Sequence, residues 1–467
     1  MKIKINWFKT CLFCIAFFSI SHLNSQEIPN EFQDNSTQKV LIDAGINWEE
    51  NSLFGPIRFQ SIQENQSIKF QNNDLLNIQT RVGIHSLNNS MAIYGFGHLS
   101  YKKYFYAYLY PRIVNDPDAF IRYSGIARDI TRGGFSSGET DLSGIGFQND
   151  WLSLQLGRGR ENWGAGNHIQ LALSENSPAY DYGMLGMDFN KLRVKYIHGF
   201  LETDESQINR YITARGVEWT NKKSLLIGLS ETVIYSGENR SLDVGYFNPI
   251  STHLEIELND RLNRVGTGNS NGVWQLSIDW LPMENLRVSG NILYDEFTLD
   301  KIQFEEGKEN GKAYSARIAY SPVRSDNTIL TLFSSVIHVG TPTFRHGSGF
   351  NNFVQRNNPL GWKYGSDGQE INFGISYHKI PDLIAQLSFG MRELGEESII
   401  NRPYDAYFDY LKGPFPSGEV KSINFIHSNI KWWWKPYMMV LGDIEWESEN
   451  LALTIGLNIY WPKSFSL

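Results

Sequence analysis

Val273–Leu281 reads VWQLSIDWL, and its alternation decides the architecture. Trp274, Leu276, Ile278 and Trp280 fall on one face of an extended chain, and Gln275, Ser277 and Asp279 on the other. That is the period of two that defines a strand. Two further stretches repeat it. In Lys191–Phe200, KLRVKYIHGF, Leu192, Val194, Tyr196 and Phe200 oppose Lys191, Arg193 and Lys195. In Leu451–Trp461, LALTIGLNIYW, the row from Leu451 through Ile455 to Trp461 opposes Thr454, Gly456 and Asn458. A soluble sandwich turns its apolar face to a core. A membrane barrel turns it to lipid, lines its lumen with the polar face, and gathers Trp and Tyr at the two interfaces.

Connection lengths choose between the two. Short turns stand at Lys102–Lys103, Asn149–Asp150, Phe189–Asn190, Asn221–Lys222, Pro282–Asn285, Val323–Asp326, Lys379–Asp382 and Lys435–Pro436. Between them lie long polar segments: Ile113–Asp141, Gly159–Gly183, Tyr235–Asn271, Val339–Gln369 and Arg392–Lys421. Short periplasmic turns alternating with long extracellular loops mark an outer-membrane barrel, whereas a sandwich has no reason for that parity. Closure also satisfies every backbone N–H and C=O inside lipid. The reading is therefore an all-β, transmembrane antiparallel β-barrel over residues 77–467. It has about eighteen strands, with short outer turns at Leu87–Ser90 and Glu447–Asn450. Pattern alone leaves sixteen strands open.

The N-terminus gives the compartment. Lys2, Lys4 and Lys9 precede an apolar core at Cys11–Ile20, and small residues lead to a cut near Ser25–Gln26. Residues 1–25 thus read as a cleavable signal peptide. About ten apolar residues are too few to span a bilayer as a helix. Both cysteines, Cys11 and Cys14, lie within it, which leaves no thiol for a disulfide, a thiolate metal site or a cysteine nucleophile. Residues 26–76 show no sustained helical period and are left as a periplasmic segment, a plug or further strands. The chain of 467 residues carries a net charge of −8, with 14% aromatics. No linker divides it, and a general nucleic-acid binder would need a basic footprint.

One segment concentrates candidate chemistry. Gly157–Ser174, GRGRENWGAGNHIQLALS, follows the upward strand Trp151–Gly157, so it lies outside or dips from outside into the lumen. Sugars pack C–H faces on aromatic rings and offer hydroxyls to amides, carboxylates and imidazoles. An Arg fork is the strongest simple partner for an acidic sugar. Trp163 is the candidate platform, with Arg158, Arg160, Glu161, Asn162, Asn167 and His168 as the polar rim. The alternative is that these residues brace the lumen and the glycines serve turns. A secondary candidate set lies in Phe344–Glu370: Arg345, His346, Trp362, Tyr364 and Asp367.

The sequence LGRGRENWGAGNHIQLALS, with Asn176–Pro178, YFNPI at Tyr246–Ile250 and FRHGSGFNNFVQRNNPLGWKYGSDGQE at Phe344–Glu370, resembles the capsule assembly protein family Wzi. The likeness is useful from about Trp151 to Glu370 and elsewhere is a strand pattern. It implies an eighteen-stranded outer-membrane barrel acting as a surface lectin that holds capsular polysaccharide to the cell. The family's periplasmic helical element finds no match in the periodicity of residues 27–76.

Weaker constellations point elsewhere. Ser174 lies six residues from His168, but spacing cannot bring a nucleophile and base together. His338, His346 and Asp367 share no ligand spacing, so no metal or other cofactor is expected. KWWWKPY at Lys431–Tyr437 reads as an interface belt beside a periplasmic turn. The function expected is a non-enzymatic, monomeric outer-membrane barrel binding capsular or other exopolysaccharide. Its partners are that polysaccharide and lipid, with no nucleic acid. A porin-like diffusion channel is the alternative.

Overall fold

The computed structural model describes residues 36–55, 76–102, 104–120, 123–204, 207–262, 270–295, 302, 305, 307–346, 349–380, 382–400, 413–435, 438–448 and 450–465. The signal-peptide reading of residues 1–25 lies outside them. The wall begins with β1 (Leu76–Leu87), β2 (Ser90–Tyr101), β3 (Phe105–Val114), β4 (Ser137–Gln148), β5 (Leu152–Gly159) and β6 (Tyr180–Phe189). It continues with β7 (Leu192–Thr203), β8 (Ile208–Thr220), β9 (Leu225–Glu238), β10 (Ser270–Met283), β11 (Leu286–Tyr294), β12 (Lys312–Arg324) and β13 (Thr328–Val339). Two short strands, β14 (Val354–Gln355) and β15 (Asn358–Pro359), pair with each other. The wall resumes with β16 (Gly368–Lys379), β17 (Leu383–Leu394), β18 (Lys421–Lys435), β19 (Met438–Glu447) and β20 (Asn450–Phe465).

Each wall strand pairs antiparallel with the next, and β20 pairs with β1 from Leu76↔Phe465 to Leu87↔Thr454. The eighteen strands therefore form a closed barrel with no free edge. Every short turn read from the sequence connects strands at one end, and the long segments connect them at the other. The two short outer turns also stand where expected, between β1 and β2 and between β19 and β20. Leu276, Ile278 and Trp280 are exposed on the outside, while Gln275, Ser277 and Asp279 are buried inside. The alternation is that of a wall with lipid on one side.

The interior on one side of the barrel is filled. Residues 36–55 sit inside near the short-turn end and contain helix α1 (Ser36–Asp43). Asp43 meets Arg287 at 2.7 Å and Arg317 at 2.8 Å, both from the inner wall. Asn51 donates to Asp279 at 2.9 Å, and the Leu53 N–H to Glu218 at 2.7 Å. A second layer, residues 160–174, lies on the first, with the Gly164 N–H donating to the Leu53 carbonyl at 2.7 Å. A third layer comes from the β13–β16 connection: the Ser174 N–H donates to the Leu360 carbonyl at 2.8 Å, and the Trp362 N–H to Leu171 at 3.1 Å. Together they bury Trp48, Phe54, Trp163, Ile169, Phe344 and Phe353 in one apolar core with inward wall residues such as Ile197 and Ile234.

Helix α1 departs from the sequence expectation of no helix in this region. Two turns are too short to show a sustained period, and so short a helix is stable only through tertiary contact. Val40 supplies it, packing with Ile384, Trp433 and Met439. Trp433 also corrects the reading of KWWWKPY. Trp432 faces outward as a belt residue, but its neighbour Trp433 is buried inside against the helix.

Adjacent positions on β18 test the wall. Ile430 is exposed outward, and Asn429 faces an unfilled part of the lumen. Ile430→Arg is expected to cost about 2–4 kcal/mol of barrel stability, because it sets a charge in hydrocarbon. Asn429→Arg is expected to cost about 1 kcal/mol or less, the worth of its hydrogen bond to Asp443. Thermal unfolding in detergent micelles and lipid checks both, and equal damage at the two positions contradicts the assignment of faces.

Candidate functional site

The Gly157–Ser174 segment divides at its first residues. Strand parity sends Arg158 outward with Leu154 and Leu156, where it meets Asp181 at 2.9 Å and the Ser124 hydroxyl at 3.0 Å. It is thus a wall residue outside the lumen, which corrects its place in the candidate rim. The chain then turns inward. Arg160 is buried beside Glu161 and Lys195. Glu161 accepts from the Trp163 indole N–H at 2.7 Å and pairs with Lys195 at 2.7 Å. Trp163 is 1% exposed, with the Phe54 ring 4.9 Å away. A platform for a sugar needs an open face, and this ring has none. Trp163 is a core residue, and Glu161 holds its N–H and the wall lysine together.

The later residues of the segment behave differently. Gly166, at φ +76, lets the chain turn where a side chain would meet Ile169 and Ser289. Asn167 donates to the Lys39 carbonyl at 3.1 Å, tying the segment to α1. Asn162 lies 3.5 Å from Glu175. His168 places Nδ1 3.0 Å from Glu175, and its side chain is 49% exposed. Lys39 pairs with the same carboxylate.

The second candidate loop also splits. Arg345 is buried 3.6 Å from Glu397, and its carbonyl accepts from Asn271 at 3.1 Å. The His346 N–H donates to Asn352 at 2.8 Å. Asp367 accepts from Thr341 at 2.8 Å and from the N–H groups of Glu397 and Ser417, each at 3.0 Å. These three hold the outer loops together. Tyr364 is half-buried and borders open space, and Trp362 packs behind it in the apolar core, the two rings 5.5 Å apart and edge to face.

Both loops meet there. Asn167 and His168 from one, with Trp362 and Tyr364 from the other, border a single lumen cavity of about 2130 Å3, part of it continuous with solvent. Its far side is the inner wall of β16–β20. Arg392 stacks 3.5 Å from the Tyr364 ring centroid and pairs with Glu370 at 2.8 Å and Glu447 at 2.9 Å. Tyr364 donates to Glu447 at 3.0 Å, and Lys363 pairs with Glu445 at 2.8 Å. Asp443 holds His427 at 2.8 Å and Asn429 at 2.9 Å. Aromatic rings beside paired charges and amides suit a polyhydroxylated ligand with apolar faces. The strand residues of this set were missed in the sequence. Their signal was present in β18, where His427, Asn429 and Lys431 alternate with Ile426 and Ile430.

The weaker constellations take other roles. The Ser174 hydroxyl donates to the Gly361 carbonyl at 2.5 Å, and the His168 ring addresses Glu175, so the two do not form a nucleophile–base pair. His338 stacks on Tyr314 at 4.6 Å and lies 4.1 Å from the Phe415 ring. Among the described residues no three His, Cys, Asp or Glu gather as a metal site.

No protein family and no curated protein matches the sequence. Among solved structures the chain is similar to Wzi of Escherichia coli, an outer-membrane protein involved in group 1 capsule assembly and described as a carbohydrate-binding β-barrel. The TM-score is 0.62 at 10% identity, covering 96% of this chain and 100% of that one. Pseudomonas aeruginosa OprD aligns at a TM-score of 0.44 and 11% identity over 85% of this chain and 96% of its own. The fold is that of an outer-membrane β-barrel.

Two outcomes follow for the inner layers. Trp163→Ala should cost about 3–5 kcal/mol, as core aromatic truncations do, and lower the temperature at which the barrel unfolds; an unchanged barrel contradicts core placement. Burial raises the Asp43 carboxyl, but Arg317 and Arg287 more than reverse this and hold it below the usual carboxylate range. Its contribution is therefore present at neutral pH and lost as acid protonates it. Hydrogen-exchange protection at residues 36–55, corrected for the intrinsic exchange rate at each pH, should fall as the pH falls through and below that range. Asp43→Asn should show the lowered protection already at pH 7.

Proposed function

We propose that the protein binds surface polysaccharide at the outer membrane and supports the assembly or attachment of capsular or other exopolysaccharide. The observation that carries this reading is the cavity between the plug and the β16–β20 wall, where Tyr364 and His168 face Arg392, His427 and Asp443. An open channel needs a continuous watery lumen, whereas part of this lumen is filled by an apolar core. The similarity of Gly157–Ser174 to the capsule assembly family and the shared fold with a carbohydrate-binding barrel both agree with the reading. In it, residues 1–25 direct export and are removed, residues 26–76 serve the periplasmic end of the lumen, and the barrel acts as a monomer.

A second reading, a diffusion path for small saccharides or other polar solutes, is favoured by the cavity's length. It runs from Ile384 and Lys431 near the short-turn end to Tyr364 and Glu445 near the long loops. Planar-bilayer conductance separates the two. The binding protein is expected to be nearly closed, and steady ohmic opening supports the channel instead.

Tyr364→Ala is expected to weaken binding of the cell's own surface polysaccharide about ten- to a hundredfold, the effect of losing about 1–3 kcal/mol of stacking. Lys363→Gln should weaken an acidic polysaccharide more than a neutral one, and added salt should mimic it. Polysaccharide released into the medium by cells carrying each variant is read beside barrel heat-stability. Full retention with Tyr364→Ala, or loss only in step with destabilisation, removes the binding reading.

A further inference from the structure

The outer face of β7–β9 changes character partway up the wall. Trp219 and Val217 on β8, and Ile227 and Leu229 on β9, point outward and are exposed. The same face continues to Arg215 and Glu231, which are directly paired across the two strands, with Tyr196 of β7 beside Arg215. Arg215 stands four residues beyond Trp219. At about 3.3 Å per residue and a tilt of about 40°, that is about 10 Å above this girdle, inside an apolar band about 25 Å tall. Elsewhere the exposed apolar row climbs farther, from Phe105 to Ile113 on β3 and from Val323 to Tyr314 on β12. A charge left facing hydrocarbon is costly and needs a partner and a cover.

Here the cover is the β9–β10 connection. Residues 239–262, with a 3-10 turn at Val244–Phe247 and helix α2 (His253–Leu258), fold back down the outside of the wall. His253 Nδ1 lies 2.7 Å from Glu231, which lies 3.2 Å from Arg215. Arg215 donates to the Asn248 carbonyl at 3.2 Å, and Tyr196 to the Tyr246 carbonyl at 2.8 Å. The Tyr246 ring stacks on outward Tyr235 at 4.6 Å. Tyr246 and Ile256 are fully buried against the wall, and Gly272 of β10 leaves room for the His253 ring. The opposite side of the segment exposes Val244, Phe247, Leu254 and Leu258, with Ile250 at 84%, and its charges Glu255 and Arg261 pair with each other at 3.2 Å beside them.

We infer that residues 239–262 form a membrane-embedded flap whose outer face contacts the acyl chains of the outer leaflet. The flap covers the upper outer wall of β7–β9, packing on Tyr211, Val233 and Tyr235, and seals the Arg215–Glu231–His253 network beneath it. Lipid is the occupant because the exposed flap face continues the exposed wall rows of Val217–Trp219 below and Leu276–Trp280 beside it. The described residues contain no cysteine, so single thiols can be introduced once Cys11 and Cys14 are changed to Ser. Spin labels at Ile250→Cys and Leu254→Cys are compared, in the full chain in phosphatidylcholine liposomes, with Leu276→Cys on the wall and Ile130→Cys in an exposed loop. Collision with oxygen should exceed collision with a water-soluble nickel chelate at 250 and 254, as at 276, and the order should reverse at 130. Adding His253→Ala should shift 250 and 254 toward nickel access while heat-modifiability shows the barrel intact. Nickel access at 250 and 254 equal to that at 130 overturns the inference, and so does spin–spin broadening between two copies at those positions.

Discussion

Inside hydrocarbon each unpaired backbone N–H or C=O costs several kcal/mol, and the β1–β20 seam is where this chain meets that demand. Its unbroken register from Leu76↔Phe465 to Leu87↔Thr454 leaves no edge. An antiparallel barrel that closes with an even number of strands has both chain ends at the same rim. Residues 36–55 therefore lie inside, near the short-turn end, a short chain distance from β1. Eighteen strands also enclose a lumen too wide for inward side chains to fill alone. The three inner layers answer that second consequence.

Charge pairs fix how the layers dock. Asp43 with Arg287 and Arg317, Glu218 with Arg193 and the Leu53 N–H, and Glu161 with Lys195 each join a plug segment to the wall or hold a wall charge beneath it. Buried pairs of this kind add little net stability over an apolar contact, but removing one partner strands the other. They therefore specify position more than they strengthen it. This is why the charged, glycine-rich segment that looks most like a binding loop in sequence is largely a docking device.

That distinction also sets what was legible. Strands and short turns are written locally, in a period of two and in turn residues, so they could be read from Val273–Leu281 outward, whereas the choice of eighteen strands over sixteen rests on the β1–β20 closure. Whether an inward residue meets water or a plug is decided by chain hundreds of positions away. Trp163 and Tyr364 are both aromatic residues of polar, glycine-rich loops, yet one is sealed against Phe54 and the other borders the cavity. Arg158 reads in sequence as part of the loop beyond Trp151–Gly157, and only the wall's parity shows that it points outward from the end of β5. The wall residues Arg392, His427 and Asp443 carried an ordinary alternating signal, indistinguishable from that of Ser277 under the plug.

The cavity's charges are nearly all compensated: Arg392 by Glu370 and Glu447, Lys363 by Glu445, His427 by Asp443. An acidic sugar entering such a site must compete with a resident carboxylate for each cation, so the gain per residue is small. A polymer escapes that limit. Successive units held near the same barrel meet the site at high effective concentration, and retention can far exceed the affinity of one unit. A surface built of satisfied pairs and a few aromatic faces is thus better suited to holding a long chain reversibly than to capturing a small solute, and in the proposed function it is a chain that must be held.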